Sequence, residues 1–337
     1  MSILVTGGAG YIGSHAVLSL LQNDYKVVIL DNFINSSFEV ISRLKKMSGK
    51  DIPFYEGDVG DRILLSKIFK SEGINMVIHF AGLKSVSESL AEPISYYTNN
   101  LTASLSLIDE MIKHEIYNFV FSSSATVYGS PTVIPIKEDA ITGGTTNPYG
   151  TSKYFFERVL SDICCANKLL RVTVLRYFNP VGAHHSGLIG EDPSGIPNNL
   201  MPFLCHVATG KQKRISIFGN DYPTKDGTGV RDFIHVMDLA DGHVAAIQHS
   251  NIGPNYKVYN LGTGKGYSVL ELISAFEKEI GVNIPYIFSP RRAGDIAECW
   301  SDPTKAKNEL NWMAKYGLQE MVKDAWNWQK NNPNGYK

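Results

Sequence analysis

Short apolar runs alternate with amphipathic stretches through the first half of the chain. "SILVTG", "KVVILD", "IPFYEGD", "MVIHFAG", "FVFSSSA" and "RVTVLRY" are of strand length and rich in apolar and β-branched residues, the pattern of strands buried on both faces. Between them, "SHAVLSLLQND" and "ILLSKIFKSEG" repeat apolar residues at helical spacing. Strand alternating with helix predicts an α/β fold, a doubly wound parallel sheet with helices on both faces. After Tyr177 the texture changes: "NPVGAHHSGLIGEDPSGIPNNLMP" is rich in Gly, Pro and Asn and keeps no period. A first domain over residues 1–178 and a smaller mixed α/β domain over 179–337 are expected. "RDFIHVMDLADGHVAAIQHS" and "VYNLGTG" read as strand, helix and strand, so a segment near 232–262 is expected to cross back to the first domain. Helices near "SVLELISAFEKEIG" and "LQEMVKDAWNWQKN" close the chain.

A length of 337 residues agrees with two domains of about 100 to 200 residues each. With 32 Lys and Arg against 33 Asp and Glu, there is no broad field to draw nucleic acid or an anionic membrane, so a small-molecule partner is expected. The one dense basic run, Lys211 to Arg214, has no interleaved aromatics and reads as a solvated face. Cys164, Cys165, Cys205 and Cys299 form no CxxC pair, which suits neither a disulfide framework nor a zinc site and points to a reducing compartment. Met1 leads directly into an apolar run without a basic leader, and no apolar stretch approaches the roughly 18 residues of a membrane span, so a soluble cytoplasmic protein is expected.

"VTGGAGYIGSH" follows the first strand and opens the first helix, placing Gly8, Gly10 and Gly13 in the G-x-G-x-x-G register. Such glycines permit a tight turn and close approach to a pyrophosphate seated on the helix N-terminus, although a lone match also describes an ordinary glycine-rich turn. Asp31 shifts the balance. It ends the second strand, where a carboxylate accepts hydrogen bonds from the adenosine ribose hydroxyls and repels a ribose phosphate; no Arg follows in "LDNFINSS". NAD, rather than NADP, is the expected cofactor.

"YGTSKYFFE" sets Tyr149 and Lys153 four residues apart on one helix face. A free phenol titrates near about 10, but a neighbouring ammonium and a cationic nicotinamide ring both favour the phenolate, making Tyr149 a candidate proton acceptor. By itself the spacing also describes a plain surface pair. The serine run of "FVFSSSATVYG" closes a predicted strand at the end where ligands gather in such sheets, and Ser124 is placed to bond the hydroxyl that Tyr149 deprotonates.

Nearly end to end, the chain resembles the extended short-chain dehydrogenase/reductases and most closely the UDP-glucose 4-epimerases. The resemblance rests on "VTGGAGYIGSH", "HFAGLKSV", "SSSATVYG", "NPYGTSK", "RYFNPVGAH", "IFGNDYPTKDGTGVRDFIHV" and "YNLGTGKGYSV". It implies a Rossmann-type domain with a smaller nucleotide-sugar domain, and commonly a homodimer. NAD contacts are implied for Gly7, Gly10, Tyr11, Ile12, Gly13, Asp31, Asn32, Asn35, Ser36, Asp58, Val59, Phe80, Ala81, Gly82, Lys84, Asn99, Ser124, Tyr149, Lys153, Tyr177 and Phe178. Contacts to a UDP-hexose are implied for Lys84, Ser124, Tyr149, Asn179, Asn199, Leu200, Ser216, Ile217, Phe218, Arg231, Arg292, Asp295 and Cys299. In the implied reaction Tyr149 takes the proton of the sugar 4-hydroxyl, Ser124 lies in the hydrogen-bond path, and C4 passes its hydride to NAD. The 4-keto sugar then turns and is reduced from its other face. Arg231 and Arg292 are the implied diphosphate forks.

Dehydratases of this family carry an Asp-Glu pair just before the "VYG", and decarboxylases a Glu; this chain has Ala125 and Thr126, which favours epimerisation over a lyase. A dinucleotide-binding sensor without turnover is expected to lose Tyr149 or Lys153, and both are present. His184 and His185 lack a third ligand at useful spacing, so no metal is expected, and His79, in a buried strand, reads as a core residue. Epimerases restricted to glucose and galactose carry Tyr where Cys299 stands; the smaller side chain leaves room at C2 and implies activity on N-acetylated UDP-hexoses as well.

Overall fold

The computed structural model describes residues 1–292 and 294–337. The first half runs β1 (Ser2–Thr6), α1 (Tyr11–Gln22), β2 (Lys26–Asp31), α2 (Glu39–Ser48), β3 (Phe54–Glu56), α3 (Arg62–Glu72) and β4 (Met76–His79). It continues through α4 (Val86–Ala91), α5 (Pro93–Tyr97), a π-helical turn (Thr98–Ala103), α6 (Ser104–Lys113), β5 (Asn118–Ser124), α7 (Pro148–Ala166) and β6 (Arg171–Tyr177). Then follow β7 (Asn179–Val181), α8 (Leu200–Ala208), β8 (Ile215–Phe218), β9 (Val230–Arg231), β10 (Phe233–His235), α9 (Val236–Gln248) and β11 (Tyr256–Leu261). The chain ends with β12 (Tyr267–Ser268), α10 (Val269–Ile280), β13 (Tyr286–Ser289), β14 (Glu298–Cys299), α11 (Thr304–Leu310) and α12 (Leu318–Asn331).

Seven strands form one parallel sheet in the order β11-β6-β5-β4-β1-β2-β3. Every residue of β1 is buried, because alternate side chains enter two different cores. Ile3 and Val5 pack with Val17, Leu18 and Leu239 on one side, while Leu4 packs with Leu65, Leu107 and Phe156 on the other. Order reverses between β1 and β4, so the crevice beyond their carboxyl ends is the natural ligand site of this Rossmann-type sheet. A third core, built on Leu204, Ile217, Phe276 and Met321, gathers β8, α8, α10 and α12. Helix starts follow local chemistry. Asn147 caps α7 through its bond from Gly150 N–H at 2.8 Å, with Pro148 in the first turn, and Ser268 with Glu271 forms a capping box on α10. Among the described residues no helix is long and apolar enough to cross a membrane.

Candidate active site

Beyond the carboxyl ends of the strands lies a cavity of about 850 Å³. Its floor is the turn between β1 and α1. Gly7 sits at φ 69°, and a Cβ there would stand 2.7 Å from Ala81 N; one at Gly13 would overlap the Gly7 carbonyl oxygen. Only glycine lets backbone reach backbone here. Gly10 is the N-cap residue of α1 and supplies no capping side chain, so the helix start faces the cavity with amides free for an anion. These features fit a pyrophosphate. The Asp31 carboxylate is held by Ala9 N–H (2.9 Å), Phe33 N–H (3.0 Å) and the Ser36 hydroxyl (2.8 Å) at the cavity wall, while Asn32 donates to Asp58 at 3.2 Å.

At the other end α7 brings Tyr149 and Lys153 to the same cavity, one helical turn apart. Lys153 Nζ donates to Ser122 O at 2.8 Å and lies 4.9 Å from the centre of the Phe121 ring. Burial lowers its pKa to about 8, with Glu157 opposing. Burial raises the Tyr149 phenol, and Ser124 is the group that pulls it down. The ammonium expected from sequence to favour the phenolate does not offset that burial. Ser124 ends β5 and accepts from both Thr126 N–H (3.2 Å) and the Thr126 hydroxyl (3.0 Å), which leaves its own proton free to be donated. Its neighbour Ser122, not Ser124, is part of the cavity wall.

The cavity gathers Gly7, Gly10, Tyr11, Ile12, Gly13, Asp31, Asn32, Asn35, Ser36, Asp58, Val59, Phe80, Ala81, Gly82, Lys84, Asn99, Tyr149, Lys153, Tyr177 and Asn199. The other candidates lie outside that wall. Phe178 is buried with Val127, Tyr128 and Ile136, and Cys299 packs against this cluster. Cys299 pairs in register with Arg231 across β14 and β9, and burial raises its thiol to about 11, so it is a neutral small side chain rather than a nucleophile. Arg292 lies 4.7 Å over the Phe218 ring and pairs with Asp295 at 3.1 Å; Ser216 and Ile217 precede Phe218 on β8. Asn179 opens β7, and Leu200 opens α8 directly after Asn199.

Two residues at the site had no sequence signal. Glu191 joins Lys84 (3.4 Å) to Asn199 (2.8 Å), linking a candidate cofactor contact to a substrate contact. Asn100, in the π-helical turn, ties the Gly82–Leu83 loop to α7 through Leu83 N–H (2.9 Å), Leu83 O (3.0 Å) and the Ser152 hydroxyl (3.1 Å). His79 is a core residue, held by Thr6 at 2.7 Å and Ser104 at 2.8 Å, and its burial lowers its pKa to about 3. Among the described residues no group of three His, Cys, Asp or Glu is placed to hold a metal ion.

The model of the GDP-mannose 4,6 dehydratase family matches residues 4–325. UDP-glucose 4-epimerase of Haemophilus influenzae is 59% identical over 337 residues, all of both chains. The crystal structure of UDP-glucose 4-epimerase from Bifidobacterium longum in complex with NAD+ and UDP superposes with a TM-score of 0.96 at 53% identity, over 99% of this chain and 100% of that one. A UDP-Glc/GlcNAc 4-epimerase from Campylobacter jejuni aligns over 98% of this chain and 99% of its own, with a TM-score of 0.85 and 36% identity. With glycine turn, helix-borne Tyr149 and Lys153 and end-to-end likeness together, the chain belongs to the UDP-glucose 4-epimerases, isomerases of the extended short-chain dehydrogenase/reductase family.

Proposed function

We propose that this chain inverts C4 of UDP-hexoses reversibly with NAD, through a 4-keto intermediate. The observation that carries the reading is one cavity holding a pyrophosphate-fitting turn at one end and the Tyr149–Lys153 pair at the other. In this reading residues 1–178, with the segment near 232–262, hold NAD, and the rest of 179–337 holds the UDP-sugar. Bound NAD supplies the acceptor, and then the donor, of the C4 hydride. Tyr149 takes the proton of the 4-hydroxyl, and Ser124, whose proton is free, bonds the same oxygen. Lys153, pinned on the Ser122 carbonyl, holds positive charge near the phenol as the proton moves. Arg231 and Arg292 keep the diphosphate while the keto sugar turns to its other face, and Tyr149 returns the proton with inverted configuration. Ala125 and Thr126 occupy the short turn after Ser124 and bring no carboxylate for dehydration or decarboxylation, which weighs against the lyase alternative.

Cys299 extends the proposal to UDP-GlcNAc and UDP-GalNAc, since a sulfur in place of a phenol leaves space for an acetamido group. The naming of a relative as a UDP-Glc/GlcNAc 4-epimerase supports that chemistry within the family. A homodimer belongs to the same reading, supported by the outward Leu90, Ile94, Leu105 and Phe155 along α4 to α7; light scattering tests it. The deciding experiment gives purified protein, its NAD content measured, UDP-galactose and UDP-GalNAc without other cofactor. UDP-glucose and UDP-GlcNAc are the expected products. If NAD is bound and no 4-epimer forms, the proposal fails.

A further inference from the structure

Asp232 takes no part in the chemistry above, yet it is wholly buried and its carboxylate is saturated with donors. Oδ1 accepts from Thr263 N–H at 2.8 Å and the Thr263 hydroxyl at 2.6 Å. Oδ2 accepts from Gly264 N–H at 3.1 Å, Ser301 N–H at 3.1 Å and the Ser301 hydroxyl at 2.6 Å. Gly262 makes room for this cluster, because a Cβ there would overlap both Asp232 Oδ2 and Ser301 Oγ. All of these donors are neutral. Burial raises the carboxyl above its ordinary range and the hydrogen bonds oppose it, so an ionisable group is being kept here at a cost that apolar packing would avoid.

What the carboxylate joins explains the arrangement. Thr263 and Gly264 follow β11, an edge strand of the large sheet, and Ser301 follows β14. Asp232 N–H donates to Cys299 O at 3.0 Å, and Asp232 O accepts from Asn179 N–H at 2.9 Å. Arg231 is its neighbour in sequence and pairs with Cys299. We propose that Asp232 is the positioning residue of the sugar-nucleotide half of the site, fixing Arg231, Cys299 and Asn179 against the sheet whose strand β5 ends in Ser124. This rests on the reading in which Arg231 holds the diphosphate. The geometry also explains why the residue is Asp and not Asn. Both oxygens face backbone N–H groups that cannot rotate, so the NH₂ of an amide meets a donor in either orientation.

The test is a double-mutant cycle on UDP binding, read by calorimetry on NAD-loaded protein: wild type, Asp232→Asn, Arg231→Ala and the double variant. Asp232→Asn is expected to weaken UDP about tenfold or more, on the scale of a lost charge-assisted phosphate contact, with NAD content unchanged. In the Arg231→Ala background the same change is expected to add less than about twofold, since a displaced arginine and a missing one are equivalent. Penalties that multiply, or a UDP Kd unchanged by Asp232→Asn, overturn the positioning role. Wild type that holds NAD and binds no UDP overturns the functional reading and this inference with it. If Asp232→Asn does not fold, Ser301→Ala carries the test, because it removes one hydroxyl and leaves the backbone donors. About a threefold loss that vanishes with Arg231→Ala is expected, and an unchanged or additive effect refutes the role.

Discussion

Behind the carboxyl end of β5 lies a buried ion pair whose removal has a calculable cost. Arg176 on β6 meets Glu157 on α7 through Nη2–Oε2 at 2.7 Å and Nε contacts of 3.1 and 3.3 Å, with side chains 6% and 4% exposed. Ser123 donates to Glu157 at 2.5 Å, and Arg176 also reaches the Tyr128 hydroxyl at 2.9 Å and Glu138 O at 3.1 Å. Arg176→Met strips the cation and leaves the carboxylate, among the described residues, with Ser123 as its one remaining side-chain hydrogen-bond partner. Breaking one half of a buried pair costs about 3–5 kcal/mol, because the surviving charge is left without compensation. At about 2.1 cal/mol/K per residue, a chain of 337 residues has an unfolding entropy near 0.7 kcal/mol/K, so the Tm should fall by about 4–7 °C. The assay is thermal unfolding at one scan rate with NAD saturating in every sample. Arg176→Met/Glu157→Leu should recover at least half of the loss, since an apolar pair has no stranded charge. A fall below about 1 °C, or a double variant worse than the single one, would show that the pair is hydrated and the reasoning wrong.

Tyr149→Phe should lower kcat on UDP-galactose by about 10²–10⁴-fold with little change in KM, as removal of a general acid/base requires; a kcat within threefold of wild type sinks the proton-transfer role. Cys299→Tyr should abolish turnover of UDP-GalNAc while sparing UDP-galactose within a few-fold, and full N-acetylhexosamine turnover in that variant refutes the gate. Gly13→Ala drives a Cβ onto the Gly7 carbonyl oxygen and should yield protein with little bound NAD, read from absorbance of the denatured supernatant; normal NAD content contradicts the proposed pyrophosphate seat. Lys153 titrates near 8 in the fold against 10.5 in the unfolded chain. Between those values the unfolded state binds the extra proton, so wild-type stability should rise with pH relative to Lys153→Met, by up to about 3 kcal/mol, when both are measured free of NAD; a flat difference from pH 8 to 10.5 removes the buried-ammonium argument.

The Tyr149–Lys153 pair and the glycine turn were legible in sequence because their physics is local. Tyr149 and Lys153 need only helical spacing to share a face, and Gly8, Gly10 and Gly13 need only a strand before and a helix after. The inner strands of the large sheet announced themselves for a related reason, since burial on both faces demands unbroken apolar runs. But β3, expected to be buried as well, lies at the sheet edge with Phe54 and Glu56 exposed, because an edge strand has a neighbour on one side only. Elements whose stability is tertiary were not announced. α8 carries Pro202 in its first turn and begins amid Gly, Pro and Asn, so its sequence reads as loop, yet Met201, Leu204 and Cys205 bury it against Ile217 and Phe276. α2 begins at Glu39 after Phe38, an N-cap residue that offers no capping hydrogen bond, and is held by Val40, Ile41 and Leu44.

The hidden part of the site has the same cause. Glu191 acquires meaning only from Lys84, 107 residues earlier, and Asp232 only from Thr263 and Ser301, 31 and 69 residues later. The strand read in "RDFIHV" says nothing of what its carboxylate meets until the fold surrounds it with donors. The consequence bears on the chemistry itself. Tyr149 and Ser124 are fixed by segments joined to the main sheet, whereas Arg231 and Cys299 lie on two-residue strands too short to hold position by their own ladders. If the sugar is to turn while its diphosphate stays still, the anchoring strands must be stiffened from outside, and the Asp232 cluster is where the fold joins them to the end of β11.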